Sequence, residues 1–570
     1  MEKLRMGDCK IMKYYSRKRP KRSIEEEEDR LSSLPDAILT DILSRLSIDT
    51  AAKTSVLSHH WRRLWTGVTR VDLYVCNQSD STAKISYILR QLTCRKLRHF
   101  GLTLEDLEEG SNPSAICVSE LESWFHQVFS RNVENISVNA EYDVPLLLPA
   151  FLFNSQSLVT LSILGVLKLP KIKDLCVNLP NLNKLTLDEL DNFPLCLENL
   201  IKSCSLLEHL DLVFDLDLSS HVVNIIASNL KSLSISNLSM LNNTRKTRVY
   251  IDAPKLAKLK IQDWSSIYYF LQNPSILVKA CIQLENDGGY DGLELDGEQD
   301  YGALSGPRKE YICQMTKFFG GLSSVSKLEL KLESWTNILR YFNCLNLPIF
   351  SNLTWLQTNC FKDLLISLNY FPNLEHLEVD LWLLDDKMEQ RRWCAPDFIP
   401  DCLVSKLETI HISTVGIDDD LRLLAYILSN AIVLKKLLVD FSTVDGAYVE
   451  NERDKAYAVW KECQLCRSLL NLPRSSSTCE VVVSGRLVAA SGNAVQGEFL
   501  TCQMYLGRSV TASGNALSNG YHAKYKWVDR LDACNFLYHK CQLSSTGLTA
   551  VMDTHEAMTH VQQLSSGNMR

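Results

Sequence analysis

Residues 182–187 read Leu182-Asn183-Lys184-Leu185-Thr186-Leu187, and this hexad decides the fold. Its first, fourth and sixth positions are apolar, and its last three residues alternate apolar, polar, apolar. That alternation is the period of a strand with one buried face. The same spacing stands upstream at Leu97/Phe100/Leu102, Val133/Ile136/Val138 and Leu158/Leu161/Ile163. It continues downstream at Leu207/Leu210/Leu212, Leu230/Leu233/Ile235 and Leu256/Leu259/Ile261. After an irregular stretch it returns at Val325/Leu328/Leu330, Leu374/Leu377/Val379, Leu407/Ile410/Ile412 and Leu434/Leu437/Val439.

From Leu158 to Leu256 the units follow one another at intervals of roughly 25 residues, inside the range of leucine-rich repeats. One strand with its return segment cannot cover its own apolar face, so successive units must stack. In such repeats the residues between and just after the strand leucines point to the concave side. Here they are Thr186, Asp188, Asp211, Ser234, Lys260, Glu329, Lys331, Glu378, Asp380, His411 and Asp440, the candidate target contacts. Acidic residues outnumber basic ones, which suits a target of basic character. A merely solvated sheet face is the alternative. Between Ile282 and Leu322 the pattern breaks into an acidic, Gly-rich stretch, expected as a loop, and a helix expected over 308–319.

Before the repeats, residues 29–75 carry a different period. Apolar residues recur at Ile38, Leu39, Ile42, Leu43 and Leu46, a helical stripe behind Pro35 and Asp36. Asp49 is the expected cap of a second short helix. Ser58 is the expected cap of a third, in which Trp61, Leu64 and Trp65 share a face. Three short helices cannot bury all these side chains among themselves, so an outside partner is expected to cover the remainder.

Here a family resemblance enters. LPDAILTDILSRL (34–46) with TSVLSHHWRRLW (54–65) resembles the F-box motif of plant proteins. The resemblance implies that the helices bind a Skp-type adaptor, and through it cullin and RING subunits of a ubiquitin ligase. Carried over to this chain, the adaptor face comprises Leu34, Pro35, Ile38, Ile42, Leu43, Val56, Leu57, Trp61 and Trp65. Ser47 stands where the family often has proline, and His59 and His60 stand where it usually has basic residues. The alternative is a small helical cap belonging to the repeats. Residues 401–483 resemble the FBD domain, read as strand, helix (419–430, with Leu421, Leu424, Ala425 and Leu428 on one stripe) and strand.

The expected fold class is therefore α/β: a short three-helix F-box, an irregular leucine-rich-repeat solenoid and a C-terminal FBD region. The expected divisions are an arm at 1–28, the F-box at 29–75, repeats at 90–400, FBD at 401–483 and a tail at 484–570. A chain of 570 residues exceeds one ordinary core and agrees with several domains. The arm sets the basic cluster Arg17, Lys18, Arg19, Lys21 and Arg22 beside the acidic run Glu25 to Glu28. The basic cluster is a candidate nuclear localisation signal; a solubilising tail is the alternative. The tail repeats ASGNA twice and has an expected helix near 527–540, without a functional reading.

Net charge is −7, which leaves no global footprint for nucleic acid or an anionic membrane. The longest apolar run, Val144 to Phe153, is broken by Pro145 and Pro149 and falls short of a membrane span. The basic start lacks an apolar signal core, and the nineteen cysteines read as reduced thiols. Nucleus, cytoplasm or both is the expected location. Cys463 and Cys466 lack a second pair at zinc spacing and read as buried thiols. With no phosphate loop, dinucleotide fingerprint, nucleophile elbow or zinc-protease motif, no cofactor, metal or catalysis is expected. The chain reads as a non-catalytic substrate-recognition subunit. Its rivals are a scaffold that does not recruit a ligase, and a co-receptor gated by a small hormone.

Overall fold

The computed structural model describes residues 31–75, 81–105, 118–141, 146–165, 167–168, 177–188, 194–214, 222–237, 247–264, 267–272, 274, 276–284, 306–332, 349–359, 364–380, 398–413, 418–440, 468–469, 471–486, 501–507 and 522–526. It is an α/β fold of alternating helices and parallel strands, divided into two units, 1–207 and 208–570.

The first unit opens with α1 (Asp36–Leu43) and α2 (Ile48–Lys53), then two short 3-10 segments, Thr54–Val56 and Trp61–Gly67. The cap of α2 differs from the expectation: Ser47 Oγ, not Asp49, accepts from Thr50 N at 3.3 Å. Asp49 falls inside the first turn, two residues after the cap position, and pairs with Lys84 at 2.9 Å. The third helical segment is 3-10 and begins at Trp61, whose N–H donates to Ser58 Oγ at 3.4 Å.

Arg70–Val75, the last residues of the segment expected as the F-box, form strand β1. It pairs in parallel with β2 (His99–Glu105), which pairs with β3 (Asn135–Glu141). The two-residue strands β4 (Leu146–Leu147) and β6 (Leu167–Lys168) pair separately. The main sheet continues through β5 (Thr160–Gly165) and β7 (Lys184–Leu187). Returns run through α3 (Ser81–Gln91), α4 (Val118–Phe129) and, after β7, α5 (Pro194–Ser203).

In the second unit, parallel pairing runs β8 (His209–Phe214), β10 (Ser232–Asn237), β12 (Lys258–Asp263) and β14 (Lys279–Leu284). It continues through β15 (Lys327–Leu332), β16 (Trp355–Thr358), β17 (His376–Asp380), β18 (Thr409–Ser413), β19 (Lys436–Asp440) and β20 (Glu480–Arg486). On the return side β9 (Val222–Ile226), β11 (Thr247–Asp252) and β13 (Ile267–Gln272) form a second parallel sheet. Helix α6 (Gly306–Gly321) extends the expected helix by two residues at each end and sets Phe318 5.8 Å from Tyr269 of β13. In the tail, β21 (Thr501–Gly507) and β22 (His522–Lys526) add antiparallel strands that the sequence reading did not foresee.

Every residue of the eleven apolar triplets is buried to within 2 % exposure. A fully buried side chain of this kind contributes about 1.5–3 kcal/mol, so the repeat spacing is the chief source of the core. Polar side chains close the strand ends. Asp263, 1 % exposed, accepts from Asn237 Nδ2 at 3.0 Å and Ile267 N at 3.1 Å, tying the end of β12 to β10 and to the first residue of β13. Asn359 Oδ1 accepts from Leu332 N at 2.8 Å.

The helix Asp418–Asn430 confirms the reading within 401–483 but rotates its stripe. Leu423, Leu424, Ile427 and Leu428 are buried, whereas Leu421 and Ala425 are half-buried at the margin. Two i, i+4 pairs side by side centre the face between them. Arg17, Lys18, Arg19, Lys21 and Arg22, Cys463 and Cys466, the acidic stretch 285–305 and the helix expected at 527–540 lie outside the described residues.

Candidate functional site

The apolar residues of α1 divide. Leu39 and Leu43 are 0 % and 1 % exposed, while Ile38, Ile42 and Leu46 are 48 %, 38 % and 40 % exposed. Positions 38 and 42 stand at i, i+4 and form an outward ridge on α1, with exposed Leu46 just beyond its end; 39 and 43 form the inward one. The sequence reading merged the two because adjacent stripes of a short helix count as one face until a neighbour shows where the core sits. Just beyond α2, Val56 and Leu57 are also exposed, and Leu31 opens the segment exposed.

Several contacts fix these side chains outward. The Pro35 carbonyl accepts from Ile38 N at 2.9 Å and Leu39 N at 3.1 Å, starting α1. The buried Ser44 Oγ donates to Thr40 O at 2.7 Å and accepts from Thr69 N at 2.9 Å, tying the end of α1 to the approach of β1. Trp61 is buried and its Nε1–H donates to Ser32 Oγ at 2.9 Å. Asp36 Oδ1 lies 2.7 Å from His60 Nε2, joining the first turn to the residues before the 3-10 segment.

The expected adaptor residues thus occupy two environments. Pro35, Ile38, Ile42, Val56 and Leu57 are exposed, and Leu34 and Trp65 are half-buried. Leu43 and Trp61 are interior, where they hold the ridge in place instead of offering surface. Leu31 and Leu46 were missed. Leu31 precedes the helical pattern, and Leu46 was read into the stripe but not onto the docking face.

The candidate target contacts lie on strands. Thr186 and Asp188, half-buried, belong to the first unit at β7 and just after it. In the second unit the register aligns Asp211, Ser234, Lys260, Cys281, Glu329, Gln357, Glu378 and His411 in one row. Asp380 and Asp440 align with Ser413 in a row two residues on. Gln357 Nε2 donates to Asp380 Oδ2 at 2.9 Å, and His411 Nδ1 lies 3.6 Å from Glu378 Oε1. Lys331 Nζ is 3.3 Å from Glu329 Oε1.

The expected acidic excess does not hold for the whole face. The first residue of each strand belongs to the same face as the third, and the sequence reading left it out. That row brings in Lys258, Lys279, Lys327 and Lys436, all exposed. The face is basic on β12 to β15 and acidic on β17.

Among the described residues no group of three or more histidine, cysteine, aspartate or glutamate side chains is arranged to hold a metal ion. No described helix is long and apolar enough to cross a membrane. Buried thiols are held protonated: burial pushes Cys204 and Cys402 up to about 12.

Three family models match separate parts of the chain. Residues 31–71 match the F-box domain. Residues 121–285 match the LRR repeats of FBD-associated F-box protein At5g56370, and 396–439 match FBD. Similar curated proteins come from Arabidopsis thaliana. F-box/FBD/LRR-repeat protein At5g22660 is 28 % identical over 470 residues, covering 80 % of this chain and 96 % of the relative. Putative F-box/FBD/LRR-repeat protein At1g66290 is 28 % identical over 465 residues, covering 80 % and 94 %. FBD-associated F-box protein At1g66310 is 29 % identical over 477 residues, covering 80 % and 97 %.

Proposed function

Because this chain belongs to the F-box/FBD/LRR-repeat family of plant proteins, we propose that it is the substrate-recognition subunit of an SCF-type cullin–RING ubiquitin ligase. Its domain composition is that of a non-catalytic adaptor subunit. In this reading the chain makes and breaks no bond. It raises the effective concentration of a target beside a ubiquitin-charged enzyme, an advantage that needs only two well-placed surfaces.

One observation carries the proposal. The segment matching the F-box model keeps Ile38, Ile42, Leu46, Val56 and Leu57 exposed while Leu39, Leu43, Trp61 and Leu64 form its interior. Apolar side chains held outward by a packed core suit a partner surface. The proposed partners are a Skp-type adaptor and, through it, cullin and RING subunits. We assign 29–75 to a three-helix F-box, 90–400 to an irregular repeat solenoid that holds the target protein on its strand face, and 401–483 to the FBD region. The arm and tail, 1–28 and 484–570, lie outside these modules, and the arm's basic cluster suits a nuclear or nucleocytoplasmic protein.

Affinity capture of the full chain tests the proposal. Co-enrichment of adaptor, cullin and RING subunits is expected, together with proteins that accumulate in cells when residues 31–67 are deleted. Capture of target proteins without any ligase subunit would replace it with a scaffold role.

A further inference from the structure

We propose that Lys258, Lys279 and Lys327, with Lys260, form a docking point for an acidic segment of the target protein. This deepens the reading of the strand face as the target surface and rests on it. Parallel register sets Lys258 opposite Lys279 and Lys279 opposite Lys327. Adjacent strands lie about 4.8 Å apart, so the three stems cross about 10 Å of sheet. Lys260, two residues on in β12, is exposed on the same face.

These lysines combine adjacency with open side chains. Among the described residues none of the four side-chain ammonium groups makes a hydrogen bond or ion pair. Three lysines elsewhere in this unit are held by carboxylates: Lys331 by Glu329 at 3.3 Å, Lys231 by Glu208 at 2.7 Å, Lys435 by Glu408 at 2.8 Å. Like charges directly opposite on neighbouring strands repel and weaken the sheet. An anionic partner converts that repulsion into attraction, and lysine ammonium groups bind carboxylates and phosphates through charge-assisted hydrogen bonds.

The borders of the patch select the partner. Glu329 lies inside it, Asp211 sits two strands before Lys260, and Glu378 and Asp380 lie two strands after Lys327. Half-buried Trp355 stands opposite Lys327 on the acidic side. A nucleic-acid backbone needs a basic track running beyond this width, with bases stacked along it. The chain's net charge of −7 and the flanking carboxylates oppose such a polyanion. A short run of aspartate, glutamate or phosphoserine in an extended protein segment fits between them.

The test uses the full chain copurified with its adaptor and a fluorescein-labelled peptide of alternating glutamate and serine, read by anisotropy. Binding that weakens with salt is expected. The triple variant Lys258→Gln/Lys279→Gln/Lys327→Gln should bind about tenfold or more weakly. The corresponding Lys→Arg triple should restore binding, which separates charge from folding damage. Adaptor binding should be equal in all three. No binding by wild type, equal binding by the Gln triple, or tighter capture of a single-stranded oligonucleotide through the same lysines would overturn the proposal. Peptide loss with adaptor binding intact strikes only this docking point when wild type shares it. A wild type that fails to bind adaptor strikes the ligase reading instead.

Discussion

Trp61 and Ser32 hold the helical segment closed: the indole N–H donates to the serine oxygen at 2.9 Å across 29 positions of sequence. Trp61 is 4 % exposed, so this bond lies at the edge of the small core formed with Leu39, Leu43 and Leu64. Everything proposed for the outward ridge depends on that core staying rigid. Trp61→Phe keeps most of the ring but loses the donor, and should cost about 1–2 kcal/mol, near the value of one hydrogen bond plus some lost packing. Leu39→Ala, at a fully buried site, should cost about 2–5 kcal/mol. Val56→Ser should stay within about 0.5 kcal/mol, because its side chain is largely in water already. Urea unfolding of the full chain checks the order.

Asp72 and His99 join β1 to β2, with Asp72 Oδ1 2.9 Å from His99 Nε2 and Asp72 Oδ2 2.9 Å from Arg70 Nε. The His99 hydrogen bond and, after it, Arg70 hold the Asp72 carboxyl below the usual carboxylate range, against an opposing effect of burial. A carboxylate depressed in the folded state stabilises fully above its unfolded pKa, near 3.9, and that contribution disappears as pH falls through the folded value. The stability gap between wild type and Asp72→Asn should therefore be open near neutral pH and close on acidification below about 4. A gap that widens there would contradict the assignment. Gly101→Ala should mimic Asp72→Asn, since its new Cβ would run into Asp72 Oδ1.

The thiols give a chemical check on the buried repeats. Burial pushes Cys204 and Cys402 up to about 12, and Cys281 and Cys479 up to about 11. The thiolate is the reactive form, so these four should resist iodoacetamide at mildly alkaline pH in the native protein and label on denaturation. Mass spectrometry of labelled peptides reads this directly. Fast native labelling of Cys204 or Cys402 would show that their repeats open.

Much of this architecture was legible in the sequence, for identifiable reasons. The triplets such as Leu182/Leu185/Leu187 mark strands because an apolar residue at each of three fixed positions is rare in a loop and necessary in a stacked repeat. Strand β14 escaped because Ala280 stands at its middle apolar position, and β16 because Thr358 replaces the last one. Both bury as expected, Ala280 and Thr358 at 0 %. Small and hydroxyl side chains fit where the neighbouring strands already fill the core, which a local pattern cannot reveal. Strand β1 escaped although Val68, Val71 and Leu73 carry the triplet spacing behind Gly67, because residues 29–75 read as one F-box segment. At the candidate site, the presence of surplus apolar residues could be read from their number. Which of them face outward could not, since Leu39 and Ile38 differ only in where the 3-10 segment packs. The lysine column was hidden for a related reason: Lys258, Lys279 and Lys327 are far apart in sequence and meet only through strand register.

The most direct measurement is calorimetric titration of a purified Skp-type adaptor into the full chain and two variants, Ile38→Asp/Ile42→Asp and Val56→Asp/Leu57→Asp. Both variants change exposed residues and should unfold at nearly the wild-type urea concentration. Wild type should bind, and each variant should lose about a hundredfold or more in affinity, since charges would replace apolar side chains at the contact. Wild-type silence, or unchanged affinity in both variants, would contradict the assignment of this surface to a ligase adaptor.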